Sequence, residues 1–194
     1  MRKLFLGFAG IAAVSLMVAL RGANQPTASP DGPRYTAGGE MLRPQNYREW
    51  IYLSSGLGMT YGPIQSEARD REPMFDNVFV NRPAYKSFME TGNWPDKTVM
   101  ILEVRSSQSK GSINNGGHYQ SDVMAFEAHV KDEARFEGKW AFFPFPKNAA
   151  SSKAIPTTAN CYSCHAEHGA VDTTFVQFYP TLLSVAKAKG TLIQ

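Results

Sequence analysis

The run Cys161-Tyr162-Ser163-Cys164-His165 constrains the fold of this chain more than any other stretch. In a C-x-x-C-H run, two thiols lie one helical turn apart, so both can add to vinyl groups of one porphyrin and place the next histidine under the iron. The spacing therefore predicts a single covalent haem c, with thioethers at Cys161 and Cys164 and with His165 as the proximal iron ligand. These are the only two cysteines in the chain, so no disulfide or four-thiolate zinc site competes for them.

A thioredoxin-like dithiol is the main alternative use of such a cysteine pair. That motif normally opens a helix that follows a strand near the start of a βαβ unit. Here the pair lies close to the C-terminal end of the chain, and no βαβ pattern surrounds it. The position of the motif therefore favours haem attachment.

The N-terminal segment has the pattern of a secretory signal. Arg2 and Lys3 precede an apolar run over residues 4–20, as the basic and hydrophobic regions of a signal peptide do. Arg21 occupies a place where cleavage sites favour a small side chain, so an uncleaved membrane anchor is the alternative. We expect residues 1–23 to be this signal or anchor and the rest of the chain to be periplasmic or otherwise extracytoplasmic.

Residues 24–41 are rich in Pro, Gly, Ser and Thr and have little to bury, which predicts a flexible linker. Residues 42–194 are then the folded domain. Without Arg2, Lys3 and Arg21 the chain carries 17 basic and 17 acidic side chains. This balance gives no support for a nucleic-acid partner.

The folded part reads as strands joined by turns, with helices near its ends. Pro83 and Gly92 bound one predicted helix, and Pro180 and Gly190 bound another, because Pro favours a first turn and Gly a C-terminal stop. A short helix is predicted at 44–51, and glycine-rich loops at 54–63 and 105–117. The predicted strands are 74–80, 98–104, 118–131 and 139–145. We expect an α+β fold, an antiparallel β-sheet-rich single domain with a few flanking helices and a C-terminal haem-attachment turn.

Several blocks of this sequence, in order, resemble the cytochrome P-460 / cytochrome c′-beta family over residues 42–188. The resemblance implies a β-sheet-rich, usually homodimeric periplasmic fold with one five-coordinate haem and an open distal face. The blocks are NYREW at 46–50, FDNVFVN at 75–81, TGNWPDKTV at 91–99, EAHVKD at 127–132, KWAF at 139–142, CYSCH at 161–165 and TFVQFYPTL at 174–182.

The two branches of that family differ on the distal face. The P-460 branch oxidises hydroxylamine and carries a lysine bonded to the porphyrin and a distal carboxylate, whereas the c′-beta branch has an apolar face and binds nitric oxide. Leu102 stands at the position of the lysine and cannot form that bond; a crosslink through another lysine, such as Lys110, is the alternative. Glu127 matches the distal carboxylate as a candidate acid or base, and strand alternation places it on the same face as His129.

Three functions remain open. We expect a protein that binds nitric oxide or a related small nitrogen or oxygen ligand. The alternatives are an oxidoreductase acting on hydroxylamine or peroxide, with Glu127 as a proton shuttle, and an electron carrier with a redox partner that the sequence does not identify. A carrier needs a strong sixth ligand, yet lone histidines such as His118, His129 and His168 are more often hydrogen-bonded residues, and Met59 is more often a packing residue.

Overall fold

A five-stranded antiparallel sheet is the centre of the computed structural model, which describes residues 29–60 and 72–193. The sheet has the order β2-β3-β4-β5-β6, so strands that follow each other in the chain are neighbours, and β1 and β7 form a separate small sheet. This architecture confirms the predicted α+β single domain. The strands are β1 Met41–Leu42, β2 Ile51–Leu57, β3 Phe75–Val80, β4 Val99–Gln108, β5 Tyr119–Lys131, β6 Trp140–Pro144 and β7 Ser151–Ser152.

In the part of the chain that the structure describes, three α-helices flank the sheet: α1 Arg82–Thr91, α2 Asn160–His168 and α3 Pro180–Lys189. Both α1 and α3 have a proline in their first turn and end at a glycine with positive φ, 75° at Gly92 and 68° at Gly190, as their sequences predict. Within the described residues, 3-10 turns lie at Tyr47–Glu49 and Val176–Phe178. None of the described helices is long and apolar enough to cross a membrane. The predicted signal or anchor over residues 1–23 lies outside the described residues.

The two faces of the sheet contribute to separate cores. On one face Phe126 and Val130 of β5 pack with Met41, Tyr47 and other residues from the segment before β2. On the opposite face, the helix-bearing face, Val80 and Met100 pack against α1, α3 and the loop before α3. Alternating side chains of one strand therefore belong to different environments.

A buried carboxylate ties the N-terminal segment to the first of these faces. Glu103 on β4 is 1% exposed, and it accepts hydrogen bonds from Tyr47, Arg48 and Arg105. Burial raises its pKa, but the hydrogen bonds from Arg105 and Tyr47 and the charge of Arg48 outweigh that effect and lower the pKa overall. Burial and the bond to Glu103 raise the pKa of Tyr47 to about 12, so the Tyr47 hydroxyl keeps its proton and donates.

Several predicted boundaries are wrong. Ser54 to Leu57 form part of β2 rather than a loop, because they pair with Phe75–Val78 of β3. Strand β4 continues to Gln108 instead of ending at Val104, because its polar end pairs with β5. The short helix predicted at 44–51 is reduced to the 3-10 turn.

The second half of the predicted linker makes contacts with the rest of the fold. Asp31 and Met41 are buried, and the Tyr35 hydroxyl donates to Asp132 at 3.1 Å. These contacts join the segment to residues about a hundred positions away, which a local composition cannot reveal. Residues 31–41 therefore pack with the rest of the described chain.

Candidate functional site

The helix α2 carries both cysteines and His165, yet it has no buried residue. Cys161 is exposed and Cys164 is half-buried. The helix contacts the sheet edge through Tyr162, whose ring packs on Phe142 at 4.9 Å and whose hydroxyl donates to the Ile155 carbonyl at 3.2 Å. Because most helices in proteins are stabilised by a buried apolar face, α2 has side-chain surface available for a cofactor.

His165 is held by a hydrogen bond that orients its ring. Its Nδ1 lies 2.7 Å from the main-chain oxygen of Thr173, and a carbonyl oxygen accepts only, so Nδ1 carries the proton and Nε2 the free lone pair. Phe142 and Phe175 contact the ring at centroid distances of 4.6 and 4.3 Å. Burial lowers the pKa of His165, and the bond to Thr173 opposes this only in part. A neutral imidazole with Nδ1 occupied is the form that ligates a metal through Nε2.

The loop that follows α2 is anchored at three consecutive residues. Each anchor is a side chain from another part of the fold, two from β5 and one from the turn before β4. The pairs are Lys131 Nζ to Asp172 Oδ2 at 3.0 Å, His129 Nε2 to Thr173 Oγ1 at 3.3 Å, and Trp94 Nε1 to Thr174 Oγ1 at 2.8 Å. The carbonyl that orients His165 therefore belongs to a loop with little freedom.

Leu102 and Glu127 lie opposite each other on β4 and β5. Glu127 is two residues from His129 along β5, about 7 Å on the same face, so the pair is close to the His165 region. Leu102 is half-buried and belongs to neither core cluster. This part of the helix-bearing face is thus incompletely covered by the described residues.

Glu127 is an exposed residue with no hydrogen bond or ion pair to the described part of the chain. Its neighbours nevertheless remove water from the carboxylate, and this burial raises its pKa. Asp76 on β3 is half-buried, and burial followed by the charge of Glu127 raises its pKa. The face therefore carries two carboxylates that hold protons more strongly than free side chains do.

These residues fit a haem. Cys161 and Cys164 supply accessible thiols on one helix, His165 supplies an oriented nitrogen, and Leu102 supplies part of an apolar surface. In the described part of the chain, no group of three or more His, Cys, Asp or Glu side chains could hold a metal ion. Two thiols and one imidazole on the same helix are the groups by which a c-type haem is attached and ligated.

The other histidines have protein neighbours. His118 Nδ1 lies 3.0 Å from Glu72, and His168 is exposed beside Glu167. His129 is buried between aromatic rings. Met59 is half-buried.

The sequence did not indicate Thr173, Phe142 or Phe175 as site residues. Their roles depend on contacts between β6, α2 and the loop after α2, and no local pattern encodes such contacts. Only Phe175 had a signal in the sequence, because it follows the C-x-x-C-H motif within an aromatic-rich run.

Comparisons with known proteins bear on the same region. The family model described as Cytochrome P460 matches residues 44–176. That span is more than half of the chain, and it includes the whole five-stranded sheet, α2 and the loop that orients His165. A search of the curated proteins finds no match to this chain.

Proposed function

Since the chain belongs to the cytochrome P460 family, we propose that it is an extracytoplasmic protein that carries one covalent haem c and binds nitric oxide or a related small ligand. The family supports a c-type haem protein. Cys161 and Cys164 hold the porphyrin, each thiol adding its sulfur to one carbon of a vinyl group and its hydrogen to the other. His165 is the proximal ligand.

The observation that carries this proposal is the hydrogen bond from His165 Nδ1 to the Thr173 carbonyl at 2.7 Å. Metal-bound histidines donate their second ring N–H to such an acceptor, which fixes the tautomer and the ring plane. A histidine of a thioredoxin-like dithiol would have no need of this arrangement. The bond therefore supports iron ligation at Nε2.

The ligand class follows from the sheet face. Bound haem supplies an iron that takes small ligands and exchanges electrons. Leu102 offers no amine for a porphyrin crosslink, and an apolar side chain there favours a small uncharged ligand over a charged one. Leu102 thus supports gas binding more than the chemistry of the crosslinked branch.

An oxidoreductase acting on hydroxylamine or peroxide is the second candidate, because of Glu127. A general acid or base works best when its pKa lies near the operating pH, and burial moves the pKa of this carboxylate in that direction. With no hydrogen-bond partner among the described residues, the carboxylate is free to accept or deliver a proton. No comparable observation favours an electron carrier.

Location and assembly rest on the sequence alone. The basic and apolar pattern of residues 1–23 supports export to the periplasm, with anchoring by residues 4–20 as the alternative. The family resemblance supports a homodimer.

Haem attachment is tested first by expressing the full chain in a bacterium that exports and matures c-type proteins. We expect the purified protein to keep its pigment through acid-acetone extraction and to have the mass of one haem plus the processed chain. Cys161→Ser with Cys164→Ser is the matched control that should lose the pigment. Pigment that extracts freely from the wild type contradicts the proposal.

The ligand is tested on the same preparation. Absorption spectra of the reduced protein with and without nitric oxide should show binding, and the spectrum should lack the red-shifted band of a crosslinked porphyrin. Turnover of hydroxylamine or peroxide that falls about a hundredfold in Glu127→Gln would favour the oxidoreductase instead.

A further inference from the structure

We propose that His129 is a positioning residue for the proximal ligand: through Thr173 it fixes the carbonyl that receives the Nδ1–H of His165. The inference rests on the proposed role of His165 as an iron ligand and deepens it. It assigns a function to a buried histidine that the proposed ligand chemistry leaves unused.

His129 is itself rigidly placed. It is 8% exposed, its ring stacks on Phe142 with centroids 4.0 Å apart and planes 9° apart, and Trp140 packs on it at 4.4 Å. The two flanking aromatic residues belong to β6 and His129 to the paired strand β5, so the three rings lie side by side on one face of the sheet. A side chain held in this way can transmit the position of the sheet to a loop.

Thr173 is the residue that both histidines share. Its hydroxyl oxygen lies 3.3 Å from His129 Nε2, and its carbonyl oxygen lies 2.7 Å from His165 Nδ1. An imidazole nitrogen can either donate to the hydroxyl or accept from it, so the contact forms with either tautomer.

The neighbouring anchors have a different effect. Lys131 holds the Asp172 side chain and Trp94 holds the Thr174 side chain, which fixes where the loop lies. The contact from His129 acts on the one residue that supplies the carbonyl, and hence on the orientation of that carbonyl. The ring of His165 also touches His129 edge-on at 4.9 Å, so the same histidine limits how the proximal ring can tilt.

The consequence is electronic as well as geometric. A hydrogen bond from Nδ1–H to a well-placed acceptor increases the basicity of the ligating nitrogen, and a more basic ligand stabilises ferric over ferrous iron. If the Thr173 carbonyl is free to turn away, His165 becomes a weaker donor. The reduction potential should then rise.

The experiment compares variants that remove the contact with variants that keep it, all in the haem-loaded full chain. His129→Phe preserves a stacking ring without nitrogen, and Thr173→Val preserves the shape of Thr173 without its hydroxyl. His129→Gln and Thr173→Ser retain a hydrogen-bonding group in place. Lys131→Met loosens the loop at Asp172 and is the control for a general loss of rigidity.

The readouts are the reduction potential and the iron–histidine stretching band of the ferrous protein. We expect each removal to shift the ferric–ferrous equilibrium about tenfold, which is about 59 mV upward for a one-electron couple, and to lower the stretching frequency. The double variant His129→Phe/Thr173→Val should shift no further than either single one, because both remove the same contact. His129→Gln and Thr173→Ser should stay close to the wild type.

Unchanged potential and band in Thr173→Val overturn the proposal, and this variant decides the matter alone if His129→Phe does not fold. An equal shift in Lys131→Met also overturns it, since the effect would then be one of general loop rigidity. A wild-type protein that carries no covalent haem fails the proposed function as well, whereas a haem-loaded wild type with indifferent variants fails only the role of His129.

Discussion

Gly169 is the residue whose substitution should most directly disturb the loop after α2, which orients His165. It is buried, and its N–H donates to the His165 carbonyl at 3.0 Å. A Cβ added there would lie 2.7 Å from the His165 carbonyl oxygen and 3.0 Å from both the Asp172 carbonyl oxygen and the Thr173 carbonyl carbon. All three atoms belong to the main chain, so no side chain can move aside to accommodate a methyl group.

The magnitude of the effect follows from these contacts. The φ of Gly169 is −67° and its ψ is 136°, a conformation that alanine adopts readily, so the cost of Gly169→Ala is steric alone. Overpacking of this kind typically costs about 1–3 kcal/mol, and the reduced entropy of the unfolded chain returns about 0.4–1 kcal/mol. We therefore expect a net loss of about 1–2 kcal/mol in the free energy of unfolding, or about 2–8 °C in Tm.

Gly138→Ala is the matched control. Nothing lies within 4 Å of a Cβ built on Gly138, and its φ is not positive, so the same substitution should be neutral or stabilise by up to about 1 kcal/mol. Urea unfolding followed by circular dichroism measures both variants against the wild type. The reasoning is wrong if Gly169→Ala is as stable as Gly138→Ala.

The same variant should have a spectroscopic effect. Because the added methyl group separates His165 from Thr173, the iron–histidine stretching band of the haem-loaded Gly169→Ala protein should fall in frequency, while that of Gly138→Ala should not. A destabilised Gly169→Ala protein with an unchanged band would show that the clash is relieved on the side of Asp172.

Three further predictions concern single side chains. Glu103→Gln should lower the free energy of unfolding by about 2–3 kcal/mol, because it removes a buried charge that accepts hydrogen bonds from Arg105 and Tyr47. The stability of the wild type should also fall below about pH 4.5, where the unfolded chain takes up a proton that Glu103 in the folded chain does not. Thermal melts at several pH values should show a smaller loss in Glu103→Gln. Glu127 has a raised pKa, so ionising it lowers wild-type stability as the pH rises through that pKa; the Tm of Glu127→Gln should exceed that of the wild type increasingly towards neutral pH, and a constant difference would contradict the shift. His165→Ala should keep its haem through acid-acetone extraction but lose the iron–histidine band, which added imidazole should restore.

Local signals explain which elements the sequence could predict. Pro83 and Gly92 bound α1 as expected, and Pro180 and Gly190 bound α3, because prolines and glycines act through their own backbone preferences. The strand at Phe75–Val80 was likewise recognisable from its β-branched and aromatic residues.

Elements that depend on a distant partner could not be predicted. Ser54–Leu57 has the composition of a loop, but it pairs with β3 and becomes the end of an edge strand. Tyr35 and Met41 lie in a stretch of turn-forming residues, and the half-burial of Tyr35 and the burial of Met41 depend on residues far along the chain. In each case neighbours in the fold override the preference of the segment itself.

Part of the site could likewise be predicted from sequence and part could not, and strand β5 is the example. Phe126, Ala128 and Val130 enter the core under the N-terminal segment. Glu127 and His129, which alternate with them along β5, must therefore lie on the helix-bearing face. A slip of one residue would exchange these sets and place a carboxylate and an imidazole among the aromatic side chains of that core, where burial of such groups is unfavourable. The alternation of β5 therefore determines the face of Glu127 and His129 from sequence alone. Which group His129 meets on that face depends instead on where the loop after α2 returns to the sheet, and that is set by Lys131, Trp94 and the packing of α3. Deletion of Met124 should leave this register intact, because Met124 is the residue that the pairing with β4 skips between Ala125 and Val123. Deletion of Ala128 would instead move His129 to the opposite face and should abolish folding, as circular dichroism would show.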